Sequence, residues 1–348
     1  MRPCESGSAG NRGNRYMTKP NPNRRASRQP TPGPDELRLL GKVARMYYER
    51  GIRQPQIAEQ LSISQPRVSR LLRQATDIGI VRTIVTMPPG VHTDLEDDLE
   101  KRYGLRDAVV VDASGADGNV LPALGTAMAD YLDVTLTNGH LIGVSSWSET
   151  LIGGVDVMRR KSTRVVDRIV QIVGGLGDPA VQMRATQLTG RLADLTGGEP
   201  VFLPTPGLVT TPAARRTLLK DPSVVEVTEL WSKLTDALVG IGSLEPSPLL
   251  QRSGNAIAEA DQRELRELGA VGDVCFRFFD ADGKPVRSTL DQRLIGITPA
   301  ELLNVPRRVG VAGGARKFSA IRGALRGGWI NVLITDLELA RRLVEDTG

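Results

Sequence analysis

Cysteine and histidine are scarce in this sequence, and long apolar runs are missing. The 348 residues include only Cys4 and Cys275. Two lone thiols give neither a disulfide framework nor metal-ligand spacing, so both are expected as free thiols in a reducing cytoplasm, with no metal and no cofactor. The two histidines, His92 and His140, leave few candidates for proton-transfer chemistry. No apolar run approaches the ~18 residues that a membrane span needs, and the N-terminus lacks the apolar segment of a secretory signal. What is present is 40% hydrophobic residues, enough for an ordinary core, in a chain long enough for one substantial domain and a small one.

Charge divides the chain unevenly. Residues 1–34 carry +6 and residues 35–82 carry +4, which leaves −5 for the remaining 266. A small basic end ahead of a mildly acidic bulk implies either an N-terminal contact with a polyanion or a solvated basic tail. Residues 1–34 are rich in Arg, Asn, Pro, Ser and Gly and are expected to be disordered, since they cannot bury enough surface to offset ordering. Met17 within them is an alternative start.

Order is expected from Asp35. Leu37, Leu40, Val43, Ala44 and Tyr47 recur at helical spacing up to Gly51. Two further short helices are expected over Gln54–Leu61 and Gln65–Asp77, closed by Gly79, then a strand over Val81–Thr86. Ile57, Leu61, Ile63, Val68 and Leu71, with Ala58 at a close approach, have the spacing of a helix-turn-helix across residues 54–74, within a domain over 35–87. Ser64 stands where an N-cap belongs, Pro66 lies in the first turn, and Ser62 takes the turn position where Gly is usual. Gln65, Arg67, Ser69, Arg70 and Arg73 would face outward, with Gln54 and Ser64 beside them. These residue types read base edges and grip phosphates of double-stranded DNA. The plain alternative is a three-helix packing unit with an exposed basic face.

Residues 88–104 are expected to hold a linker helix, with Leu95 and Leu99 on one face. From Ala108 the pattern becomes short apolar runs that alternate with helical stretches. The runs are Ala108–Val111, Leu141–Val144, Arg168–Val173, Ala237–Ile241, Arg308–Ala312 and Val332–Thr335. The stretches include Leu121–Leu136, Gln182–Thr196 and Lys317–Leu325. Such alternation predicts an α/β domain with a parallel sheet covered on both faces, over residues 105–348.

The segments "LLGKVARMYYERGIRQPQIAEQLSISQPRVSRLLRQATDIGIV", "IGVSSWSETL", "IVQIVGGLGD", "VGIGSLEP", "LGAVGDVCFRFFDADGKPV" and "GVAGGARKFSAIRGALRGG" occur in this order. Together they resemble the SorC-type (SorC/DeoR) sugar-responsive transcriptional regulators, over residues 37–344. The resemblance implies an N-terminal all-α DNA-binding domain. It also implies a C-terminal α/β effector domain similar to the sugar-phosphate isomerase/deaminase fold (NagB/RpiA/CoA transferase-like). It further implies a homo-oligomer, dimer or tetramer, that controls a carbohydrate-related operon through a phosphorylated sugar or polyol.

Within the second domain, "GVSSWSET" follows an apolar run and supplies Ser145, Ser146, Ser148 and Thr150, either a phosphate cradle or a Ser-rich capped turn. Glu149 would oppose a phosphate if it points inward. In "QIVGGLGD", Gln171 can bond a sugar hydroxyl and Gly174 and Gly175 allow close approach, though the spacing is not a dinucleotide fingerprint. Gly242 in "VGIGS" is the weakest of these signals. Gly313, Gly314 and Lys317 in "GVAGGARK" form the strongest, because a lysine at a helix N-terminus opposes the dipole unless an anion lies between. Asp273 is either a partner for a sugar hydroxyl or a turn residue. Two rival classes are a sugar-phosphate isomerase or deaminase, with Glu149 or Asp273 as base, and an effector-independent DNA-binding protein with an oligomerisation domain.

Overall fold

A computed structural model describes residues 33–82, 90–113, 119–145, 148–175, 179–245 and 257–347. The basic tail (save its last two residues), the outer part of the expected Val81–Thr86 strand, and Ser146 lie outside these. The chain forms two units, divided between Thr86 and Met87.

The first unit is three helices: α1 (Pro34–Ala44), α2 (Gln54–Gln60) and α3 (Gln65–Asp77). They enclose a small core of Leu40, Val43, Ala44, Met46, Ile57, Ala58, Val68, Leu71, Leu72 and Ala75. Leu61 and Ile63 pack on its edge. Tyr47, expected on the buried face, is exposed and Met46 is buried instead. The cause is local: α1 runs into a π-helical turn over Arg45–Glu49, whose wider winding breaks the 3.6-residue phase that placed Tyr47 inward. Leu37, one turn into α1, is exposed as well.

The second unit begins with α4 (Thr93–Tyr103), the helix read from the sequence as a linker. It is built into this unit. Leu99 is fully buried, the Tyr103 hydroxyl donates to the Leu343 carbonyl, and Glu96 and Glu100 accept from the amides of Val110 and Ala108. The chain then alternates through β1 (Asp107–Val111), α5 (Leu121–Thr135), β2 (His140–Val144), α6 (Glu149–Val157), β3 (Val166–Gln171), α7 (Pro179–Thr196), β4 (Glu199–Val201), α8 (Pro212–Leu218), α9 (Pro222–Trp231) and β5 (Asp236–Gly240). Next come β6 (Gly242–Ser243), α10 (Glu259–Glu267), β7 (Gly272–Val274), β8 (Arg277–Phe279), α11 (Pro299–Asn304), β9 (Arg307–Val311), α12 (Phe318–Arg326), β10 (Val332–Asp336) and α13 (Leu337–Glu345).

Seven strands form one sheet in the order β1-β10-β9-β5-β2-β3-β4, with every pairing parallel. Apolar side chains cover both faces, as a parallel sheet requires. One face packs Ala237, Val239 and Leu333 against α4, α9, α12 and α13. The other packs Ile142, Leu238 and Ile334 against α5, α6 and α7. From β2 the chain moves outward to β3 and β4, then returns to place β5 on the opposite flank of β2. The direction of winding therefore reverses between β2 and β5, where doubly wound sheets open a crevice at their carboxyl ends. The small sheet β6-β7-β8 is antiparallel and springs from the end of β5.

At the other, amino end of the sheet, Asp236 accepts from Thr235 Oγ1 at 2.6 Å, pairs with Arg307, and lies 2.5 Å from His140 Nδ1. This polar knot ties the first residues of β2, β5 and β9 together and holds His140 far from the carboxyl-end crevice.

Candidate functional site

The α2–α3 connection turns on Ser62, whose φ of +54° is the left-handed conformation that glycine usually supplies. Ser64 occupies the N-cap position of α3 with an extended backbone, but its hydroxyl makes no capping bond. Pro66 sits in the first turn. Because Val68, Leu71, Leu72 and Ala75 face the core, the intervening positions face outward. Ser64, Gln65, Arg67, Arg70 and Arg73 are exposed, and Gln54 and Ser69 are half-exposed. None of these arginines has an ion-pair partner among the described residues, so their charge is uncommitted.

In the second unit, residues 240–242, at the carboxyl end of β5, are the hub. A Cβ on Gly240 would lie 2.8 Å from Ser148 Oγ, so the serine packs directly over that glycine. Lys317 Nζ donates to the Ile241 carbonyl at 2.8 Å. A Cβ on Gly242 would fall onto Asp273 Oδ1, so this carboxyl is stacked on the glycine through the β6–β7 pairing. Three loops distant in sequence thus meet on three consecutive residues.

Burial, the amide of Phe276 and the charge of Lys317 act together on Asp273. Burial dominates and raises its pKa from the ordinary 3.8 to about 6. Burial pushes Lys317 down, opposed by the charges of Asp273 and Glu149 and reinforced by Arg316. Lys317 closes a 3₁₀ turn over Ala315–Lys317 and is the N-cap residue of α12. A cation at that place is offset by the neighbouring carboxylates and the Ile241 carbonyl.

Asp273 also shapes its surroundings. Its Oδ2 accepts from the Phe276 amide at 2.9 Å. That bond braces a two-residue turn in which Cys275 and Phe276 both have left-handed backbones, φ +56° and +59°. The Cys275 thiol is buried, hydrogen-bonds the Ser145 side chain, and is pushed up to about 12 by burial. Ser145 in turn directly follows β2, and its amide donates to the Leu238 carbonyl.

Asp336, which the sequence reading did not single out, organises the glycine pair after β9. Its Oδ2 accepts from the Gly314 amide at 2.7 Å and lies where a Cβ on Gly313 would be. Its Oδ1 caps α13 through the Leu339 amide. The signal was available: an Asp between an apolar run and an amphipathic segment is a helix N-cap.

Other expected residues serve the fold. Gln171 is buried, and its side-chain oxygen accepts from the Leu203 amide at 3.1 Å, linking β3 to the chain after β4. Gly174 is needed for a backbone crossing: a Cβ there would lie 2.7 Å from main-chain atoms of Thr205, Pro206 and Gly207. Gly175 exchanges backbone hydrogen bonds with Thr205 and Gly207. Thr150 is buried in the first turn of α6, while Ser148 caps that helix through the Leu151 amide. Among the described residues no group of His, Cys, Asp or Glu could hold a metal, and no described helix is long and apolar enough to cross a membrane.

Residues 88–345 match the family described as "Putative sugar-binding domain". The chain is 35% identical to the deoxyribonucleoside regulator of Bacillus subtilis (strain 168), over 90% of its own length and 99% of the relative's. It is 31% identical to the sorbitol operon regulator of Klebsiella pneumoniae, over 89% and 99% of the two lengths. The crystal structure of that full-length Klebsiella regulator superimposes with a TM-score of 0.68 at 30% identity, over 90% of this chain and all of that one. Both relatives are named as regulators, the second as that of an operon.

Proposed function

This chain belongs to the SorC-type family of sugar-responsive transcriptional regulators, and from that premise we propose a two-part mechanism. The outward face of α3 binds a double-stranded DNA operator of a carbohydrate-related operon. A phosphorylated sugar, or a related sugar or polyol, bound at the carboxyl end of the large sheet sets that affinity. The N-terminal helices are read as a helix-turn-helix, with Gln65, Arg67, Ser69, Arg70 and Arg73 in the major groove. The second unit is read as the sugar-phosphate isomerase/deaminase architecture used for sensing. In a homo-oligomer, dimer or tetramer, paired α3 helices call for a two-fold symmetric operator.

The observation that carries the effector reading is the convergence of Ser148, Lys317 and Asp273 on residues 240–242. It lies at the winding reversal, where sheets of this kind bind ligands. Hydroxyl, ammonium and carboxylate together can bond a polyhydroxylated molecule from several sides. The imidazole of His140 is engaged with Asp236 at the opposite end of the sheet, which favours sensing over proton transfer.

Calorimetry of the full-length protein against a panel of phosphosugars, free sugars and polyols tests this. Saturable binding without turnover, weakened at least roughly tenfold in Lys317→Met, is the expected result. Turnover of the bound sugar would indicate an enzyme, and silence across the panel would leave a DNA-binding oligomer without an effector.

A further inference from the structure

The charge around Lys317 bears on which effector the cleft can hold. Two half-buried carboxylates, Asp273 and Glu149, act on its ammonium, and the one other cation acting on it, Arg316, is exposed to screening solvent. The ammonium already donates to the Ile241 carbonyl. The buried part of this corner therefore carries one positive and two negative charges.

A phosphate monoester brings a charge of roughly −1.5 to −2 at neutral pH and needs uncommitted donors and net positive potential. The helix that could supply them is α6, which starts at the carboxyl end of β2. One of its first-turn amides is already taken. Ser148 Oγ accepts from the Leu151 amide, and Glu149 places a carboxylate on the positive end of the helix dipole. Among the described residues, the corner offers no cation in excess of its carboxylates.

An uncharged diol meets no such conflict. Its hydroxyls donate to Asp273 and Glu149 and accept from Lys317, so every buried charge gains a partner.

We propose that the effector is an unphosphorylated sugar or polyol whose vicinal hydroxyls seat on Glu149, Asp273 and Lys317, and that Glu149 excludes phosphate esters. This rests on the effector-binding reading above and narrows it from sugar phosphates to their uncharged parents.

The test uses matched pairs: ribitol with ribitol 5-phosphate, sorbitol with sorbitol 6-phosphate, and erythritol with erythritol 4-phosphate. Each is titrated calorimetrically into full-length wild type, Glu149→Gln and Glu149→Ser, with thermal melts to confirm folding. In wild type the parent of the responsive pair binds more tightly than its ester. In both variants the ratio shifts toward the ester by roughly tenfold, the scale expected for removing one nearby like charge. Two results overturn the inference while leaving effector control intact: an ester binding wild type as tightly as its parent, or a ratio unmoved in both variants. Silence of all pairs, with other sugar phosphates also silent, sinks the effector reading itself.

Discussion

Replacing Gly242 by alanine separates a ligand loop built by design from a loop that is merely glycine-rich. The new Cβ would fall onto Asp273 Oδ1 and lie 3.0 Å from its Cγ, so the short side chain must swing away. Swinging breaks the bond from the Phe276 amide to Oδ2, a hydrogen bond to a charged or polar acceptor worth about 1.5–3 kcal/mol. It also unbraces Cys275 and Phe276, whose left-handed backbones each store roughly 1–3 kcal/mol of strain. The expected cost is about 1.5–3 kcal/mol, which lowers Tm by roughly 3–10 °C in a domain of this size. A double-mutant cycle read by thermal unfolding checks the cause. In an Asp273→Ala background nothing remains to clash with, so Gly242→Ala should cost little, giving a coupling of at least about 1 kcal/mol. Additive effects would refute the stacked Asp273–Gly242 geometry.

Two further outcomes follow from the same corner. Burial raises Asp273 to about 6, so between roughly pH 4 and 6 the unfolded chain gives up its proton before the folded one, and this group makes stability fall as pH rises. The stability of wild type relative to Asp273→Asn should therefore decline across that window and level off above it. A difference that is flat or rises would contradict the burial of the carboxyl. Cys275, buried and pushed up to about 12, should resist a disulfide reagent at pH 8 in native Cys4→Ser protein and react on unfolding. Fast native labelling would mean that the Cys275–Phe276 turn opens readily.

The six apolar runs were legible as strands because a parallel strand buried on both faces must be apolar at nearly every position. Their loops were legible as ligand candidates because the carboxyl ends of such strands adjoin one another in a doubly wound sheet. Other features were not. β4 has three residues including Pro200, and β6–β8 have two or three each, too few to show a period. The inward turn of Met46 in place of Tyr47 arises from one π-helical turn, which no spacing of apolar residues announces. Gln171 and Gly174 looked like ligand groups because residue type cannot reveal which neighbour a side chain or backbone meets. In the fold, the Leu203 amide and the crossing chain at Thr205–Gly207 claim them. Ser62 was the converse case: its left-handed φ follows from the tight turn that the flanking apolar spacing demanded.

In the proposed function, one face reads DNA and a separate site controls it. The direct measurement is a gel shift of the operator fragment, with and without the responsive sugar or polyol, on wild type, Arg67→Ala, Arg70→Ala and Lys317→Met. Either arginine variant should lose roughly 1–3 kcal/mol of operator binding while its calorimetric affinity for the effector is unchanged. Lys317→Met should hold the operator as wild type does and no longer respond to the effector. Operator affinity unchanged in both arginine variants, or an undiminished response in Lys317→Met, would contradict it.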